Sequence, residues 1–153
     1  MKTEQAQEFV TLREIDRSNY REILRLKVAA DQTRFVASNA VSLAQAHFHV
    51  EAWYRGIYTG DTAVGFVMLE IDEKKPEYYL WRFMIDEKHQ GKGYGHQAME
   101  LVIEYVRNLP DATELILSYV PMEGNPKGFY EKFGFIETGE VEAGELIMKL
   151  DLD

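Results

Sequence analysis

Three glycines fall at alternate positions in Gln90-Gly91-Lys92-Gly93-Tyr94-Gly95, between an apolar strand-like run and an amphipathic helix-like one. Glycine spacing of this kind frees the backbone for left-handed dihedrals and lets a ligand approach the amide groups closely. The helix that follows leaves its first N–H groups without partners, and its dipole favours an anion there. A pyrophosphate suits such a cradle; without a ligand, the segment would be a plain strand-to-helix turn. A nucleotide-hydrolase loop would need Gly, four residues and Gly-Lys-Ser/Thr, a run this sequence lacks. The dinucleotide fingerprint Gly-x-Gly-x-x-Gly fails too, because the third glycine comes one residue early and only one crossover follows. There is no cysteine, so thiol nucleophiles, disulfides and thiolate metal sites are excluded. His47 and His49 are two apart and point apart on a helix, while His89 and His96 flank the glycine loop, so no metal site is expected. Tyr130, between Phe129 and Phe133, reads from the residues alone as a core tyrosine on a short amphipathic helix.

The elements that must position these groups can be read in order. Phe9 to Arg13 suits a strand, and Ser18 opens a helix to about Val28. Residues 33–39 form a connection. Ser42 with Gln45 has the form of a capping box, for a helix through Ala46, Phe48 and Trp53 to Gly56. A β-rich block follows: Ile57-Tyr58, the Gly60-Asp61 turn, a strand from Ala63 to Ile71, a turn at Glu73 to Pro76, and a strand from Tyr78 to Ile85. A helix from Gly95 to Asn108 presents Met99, Val102, Ile103 and Val106, with Leu109 beyond them, before Pro110 closes it. Leu115 to Val120 is almost continuously apolar, as a central strand should be. A short helix from Phe129 to Phe133 and two strands near Ile136 and Leu146-Ile147-Met148 complete the pattern. The order predicts an α/β (α+β) domain spanning 1–153: a mixed sheet with helices on both faces, its crossover from Tyr78 to Val120 right-handed.

The 153 residues suffice to bury a real core. The net charge of −9 comes without any Lys/Arg run, which argues against a nucleic-acid partner. No apolar stretch approaches a membrane span, and Met1 to Glu8 has no signal-peptide core, so a cytoplasmic protein is expected. The acidic balance mildly favours cationic small molecules as well as serving solubility.

The glycine segment resembles the acyl-CoA loop of the GCN5-related N-acetyltransferases (GNAT), Gln/Arg-x-x-Gly-x-Gly/Ala after a strand, here Gln90, Gly93 and Gly95. Downstream, the segment from Asn125 to Phe135 resembles that family's Asn…Phe/Leu-Tyr-x-x-x-Gly-Phe motif, about 35 to 40 residues further on. The resemblance covers essentially the whole chain. It implies a GNAT fold: a mixed, mostly antiparallel sheet with a V-shaped splay, in a family where dimers are frequent. It further implies acetyl-CoA as the cofactor. Gln90, Gly91, Lys92, Gly93, Tyr94, Gly95 and His96 would cradle the pyrophosphate, and Phe83, Met84 and Ile85 would offer main-chain groups to the pantetheine arm. A backbone N–H near Met84 or Ile85 would stabilise the oxyanion. Asn125, Phe129, Tyr130 and Lys132 would complete the cofactor site, with Tyr130 as the general acid toward the thiolate. Asn125 lies five residues before Tyr130, where the family more often has seven, a departure that shortens the loop. Many members carry a basic Glu on the strand entering the loop; Trp81 and Arg82 stand there instead, leaving Glu70, Glu22 and Glu123 as substitutes.

Phe35-Val36-Ala37-Ser38-Asn39, Ser42 to Ala46 and Trp81 to Asp86 further resemble bacterial spermine/spermidine (diamine) acetyltransferases. That implies transfer of an acetyl group to a polyamine amine, with Glu22, Asn39, Glu70, Trp81 and Glu123 as substrate-site candidates. Another amine (an antibiotic or a protein N-terminus) and a non-catalytic acyl-CoA sensor remain open alternatives.

Overall fold

The computed structural model describes residues 9–33 and 35–153; the expectations for 1–8 and for Arg34 lie outside the described residues. A seven-stranded sheet is built from β1 (Val10–Arg13), β2 (Ala52–Thr59), β3 (Thr62–Asp72), β4 (Glu77–Ile85), β5 (Glu114–Tyr119), β6 (Ile136–Glu142) and β7 (Glu145–Asp151). The strands lie in the order β1-β2-β3-β4-β5-β7-β6. Among the described residues β4 and β5 form the one parallel pair, joined by the crossover helix α3 (Tyr94–Arg107); every other pairing is antiparallel. The mixed, mostly antiparallel sheet is the one expected, and β5 is indeed central.

Strand alternation gives the sheet two apolar faces. Val67, Leu69, Leu80, Leu115, Leu117 and Met148 join one core with Ala98, Met99, Val102 and Val106 of α3. Phe66, Met68 and Met84 turn the other way, to a second cluster with Ile23 of α1 (Tyr20–Arg25) and Leu43 and Ala46 of α2 (Asn39–His47). The helical period of the crossover is what buries α3, since each fully buried Val, Ile or Met contributes roughly 1.5–3 kcal/mol. Leu109 lies past the helix end yet packs on the same core.

Two helix expectations need correction. Ser18 caps nothing: its N–H and hydroxyl both donate to the Asp16 carboxylate, at 2.8 and 2.6 Å, and α1 starts only at Tyr20 after Asn19. These bonds also hold the Asp16 carboxyl below its ordinary pKa. The second helix starts earlier and ends sooner than its pattern suggests. Ser38 rather than Ser42 is the N-cap, accepting from the Val41 N–H at 3.2 Å, and Ser42 is buried inside the helix. Trp53 belongs to β2, opposite Leu69, because pairing Ala52 to Thr59 along β3 buries Gly56, Ile57 and Tyr58. Sheet formation here overrides a local helical pattern.

Candidate active site

The parallel contact between β4 and β5 is confined to Tyr79↔Ile116 and Leu80↔Leu117. Beyond Leu80, β4 runs on to Ile85 with β3 still paired on one side and, among the described residues, no strand on the other. The register with β3 shifts at this point, Leu69 facing Leu80 and Met68 facing Arg82, so Trp81 is the extra residue of a β-bulge. The strands therefore splay into a V, and a cleft of about 920 Å³ opens in it. Its walls include Phe83, Met84 and Ile85 from β4, Ser118, Tyr119 and Val120 from β5 and the turn after it, and Phe129 and Tyr130 from α4 (Lys127–Glu131).

The glycine loop closes one end. Gly91 and Gly93 have φ of 78° and 81°, a left-handed conformation that costs other residues about 1–2 kcal/mol. Gly93 is the N-cap of α3, and the Gln97 N–H reaches its carbonyl at 3.2 Å. The N–H groups ahead of Gln97 have no acceptor within the helix, and Gly93, Tyr94, Gly95 and His96 border the cleft. Gly95 packs ordinarily: a Cβ there would lie 3.5 Å from Ile85 and 3.7 Å from Phe129. The Gln90 side chain ties the loop down, its Nε2 donating to the Ile85 carbonyl at 3.0 Å and to Gln32 Oε1 at 2.8 Å. His96 lines the cleft, 2.6 Å from Glu100 and against the ring of Phe133. Gln90, Gly91, Gly93, Tyr94, Gly95, His96 and Lys132 all border the cleft, whereas Lys92 does not.

Tyr130 is half-buried between Phe129 and Phe135. Burial first, and the neighbouring Tyr79 second, push its phenol far above the ordinary tyrosine pKa, so it holds its proton throughout the neutral range. Asn125 also borders the cleft, yet its amide serves its own turn. Nδ2 donates to the Met122 carbonyl at 2.8 Å, and Oδ1 accepts from the Lys127 N–H at 3.0 Å, starting α4. That local use is the structural counterpart of the shortened spacing to Tyr130.

On the α1/α2 side, the Tyr79 hydroxyl lies 2.5 Å from Ser118 Oγ. Arg82 donates to the Trp81 carbonyl and to Gln45 Oε1, both at 3.0 Å, while its buried Nε has no partner. Burial lowers its pKa somewhat, with Tyr79 and Glu145 opposing. Trp81 borders the cleft, whereas Glu22, Asn39, Glu70 and Glu123 do not. Glu22 accepts from the Tyr58 hydroxyl at 3.1 Å, and Glu70 lies exposed on β3. Asn39 is 3% exposed and works as a clamp: Nδ2 donates to the Ile23 carbonyl at 2.8 Å and touches Met84 Sδ at 3.8 Å. Asn39→Ala leaves the Ile23 carbonyl with only the Leu26 N–H at 3.3 Å and should cost about 0.5–1.5 kcal/mol in urea unfolding. The KM for the amine should stay put; a KM change without a stability loss would place Asn39 at the substrate instead. Tyr79, Ser118 and Glu145 are cleft residues that motif spacing does not reveal. Only the strand order brings them together.

The residues fit an acyl-CoA: a helix N-terminus with two left-handed glycines for a pyrophosphate, and an unpaired strand edge for an extended, amide-bearing arm. The sequence matches the Acetyltransferase (GNAT) family over residues 9–135. It is 29% identical to the spermine/spermidine N(1)-acetyltransferase of Bacillus subtilis (strain 168), covering 94% of this chain and 99% of that protein. The fold is similar to that of an acetyltransferase from Thermus thermophilus, with a TM-score of 0.75 and 16% identity over 94% of this chain and 97% of that one. It is also similar to the spermidine N-acetyltransferase from Vibrio cholerae solved with CoA and spermine, with a TM-score of 0.71 and 21% identity, covering 94% and 95%. A splayed sheet, a glycine-lined helix N-terminus and a sequence match across most of the chain lead to one assignment: this chain belongs to the GNAT family and is an acetyl-CoA-dependent N-acetyltransferase.

Proposed function

We propose that the chain acts as a single acetyltransferase unit and acetylates a primary amine of a linear polyamine such as spermidine or spermine. The observation that carries the transferase chemistry is the β4–β5 splay opening directly onto the N-terminus of α3. In this reading Gln90 to His96 cradle the pyrophosphate, and the β4 edge from Phe83 to Ile85 receives the pantetheine arm. Phe129, Lys132 and Asn125 form the wall around them. The donor supplies a thioester carbon open to attack by a neutral amine. Tyr130 Oη, which among the described residues makes no hydrogen bond, shares its proton with the departing sulfur as charge gathers there.

Support for a polyamine comes from the named Bacillus subtilis relative and from the net charge of −9. A polyamine carries several ammonium groups, and only the reacting nitrogen must shed its proton. Attraction between a polycation and the cleft weakens with salt, because the Debye length shrinks to ~3 Å at 1 M. The kcat/KM for spermidine should therefore exceed that for a monoamine of equal length, and the advantage should narrow as salt is added. Equal use of the monoamine, or a strong preference for an aminoglycoside or a peptide N-terminus, would remove the polyamine and leave the acetyltransferase standing.

A further inference from the structure

Among the described residues, Glu145 is the one carboxylate that lines the cleft. It opens β7 immediately after the Ala143-Gly144 turn, far in sequence from both motifs. Ser118 pairs with Ile147, and Glu145 lies two residues before Ile147, so strand alternation puts all three on one face of the sheet. Tyr79 is on that face too, held to Ser118. The alternate residues Leu115, Leu117, Met148 and Leu150 face α3 in the core, and Phe129 and Tyr130 pack on that side. Glu145 thus enters the splay from the face opposite the proton donor.

Its charge is also uncommitted. Three nearby carboxylates are occupied: Asp86 accepts from the Lys27 and Lys88 N–H groups, Glu100 meets His96, and Glu137 holds Lys127 and Tyr119, while Glu142, opposite Glu145 in the hairpin, does not line the cleft. Arg82, the guanidinium that also lines the cleft, makes no ion pair within 4.0 Å among the described residues, and its hydrogen bonds go to Gln45 and Trp81. A cleft carboxylate without an ion-pair partner offers a cation an open counter-charge. Position then separates two roles. Tyr130 packs on the α3 side of the sheet, whereas Glu145 shares the other face with Tyr79 and Ser118. A carboxylate on the face away from Tyr130 suits a nitrogen other than the one that attacks.

We infer that Glu145 binds a second, non-reacting ammonium of the acceptor and is the residue that makes this enzyme prefer polyamines over monoamines. The inference rests on the polyamine reading above and names the residue behind it.

The test compares spermidine with a monoamine of equal length in wild type, Glu145→Gln and Glu145→Asp. In Glu145→Gln the spermidine advantage should collapse: its kcat/KM falls about 10- to 100-fold, through KM, to the monoamine level, as expected for losing one charge-assisted contact. The monoamine kcat/KM and the thermal shift given by acetyl-CoA should not move, a pattern that a structural defect would not produce. Glu145→Asp keeps the charge on a shorter stem and should hold an intermediate advantage, which reads the same role if the glutamine variant folds poorly. An advantage equal in all three proteins overturns the inference, as does an equal loss for both amines. A wild type with no preference for spermidine overturns the polyamine reading itself and this inference with it.

Discussion

Gly93→Val should abolish the thermal stabilisation given by acetyl-CoA while leaving the protein folded. The reason is conformational. Gly93 sits at φ 81°, and a Cβ built there would meet nothing within 4 Å, so no clash threatens the core. A β-branched residue nevertheless resists the left-handed region by about 1–2 kcal/mol, and the loop relieves this by rotating its peptide groups. Those peptides carry the N–H groups proposed to hold the pyrophosphate, so binding should be lost where stability is only dented. At a hundredfold excess over Kd, acetyl-CoA stabilises the wild type by about 2.7 kcal/mol, or roughly 5–11 °C for a chain of this size. Gly139→Val makes the matching control. Its φ is 86°, it too has open space around a Cβ, and it lies in β6 away from the cleft. It should lower Tm and keep the full acetyl-CoA shift. An undiminished shift in Gly93→Val would put the pyrophosphate elsewhere.

That loop was legible because its signal is local. Glycines at positive φ leave a mark in sequence, and the amphipathic period of α3 marks the helix they introduce. The strands from Thr62 to Ile85 were legible through their β-branched and aromatic content. The failures lie where two local patterns compete. Ser42 and Gln45 have capping-box spacing, yet the cap is Ser38, because Ser42 must turn inward beneath the sheet. Trp53 continues a helical period, yet β3 offers it a strand partner. No window of sequence weighs such alternatives, since the deciding contacts come from residues elsewhere in the chain.

The same distinction separates the two ends of the site. The proposed cofactor end comes from contiguous segments, and thirteen of its fourteen predicted residues border the cleft, Lys92 being the exception. The proposed acceptor end comes from β4, β5 and β7, which are neighbours only because β7 inserts between β5 and β6. Glu22, Glu70 and Glu123 carry the right charge, but charge does not say which face a carboxylate occupies. Glu145 becomes visible only once Ser118 is known to pair with Ile147.

Tyr130→Phe should cut turnover about 100-fold or more and leave the fold and the acetyl-CoA affinity intact. Phenylalanine preserves the ring contacts to Phe129 and Phe135, and among the described residues no hydrogen bond to the hydroxyl is lost. The size of the effect follows from acidities. A phenol raised by burial and by Tyr79 is certain to be protonated when transfer begins, but it is a weaker acid than an ordinary tyrosine. A thiol of pKa ~8.5 is the stronger acid of the two, so full proton transfer to the thiolate runs uphill. The phenol therefore acts by sharing its proton as negative charge gathers on sulfur, which places the loss at the lower end of the ~10²–10⁴ range for general acids. Because that charge exists only as the carbon–sulfur bond breaks, kcat should fall with KM for acetyl-CoA unchanged. Single-turnover CoA release reads the step directly. Wild-type release by Tyr130→Phe would make Tyr130 a packing residue, and a fall confined to KM would make it a binding one.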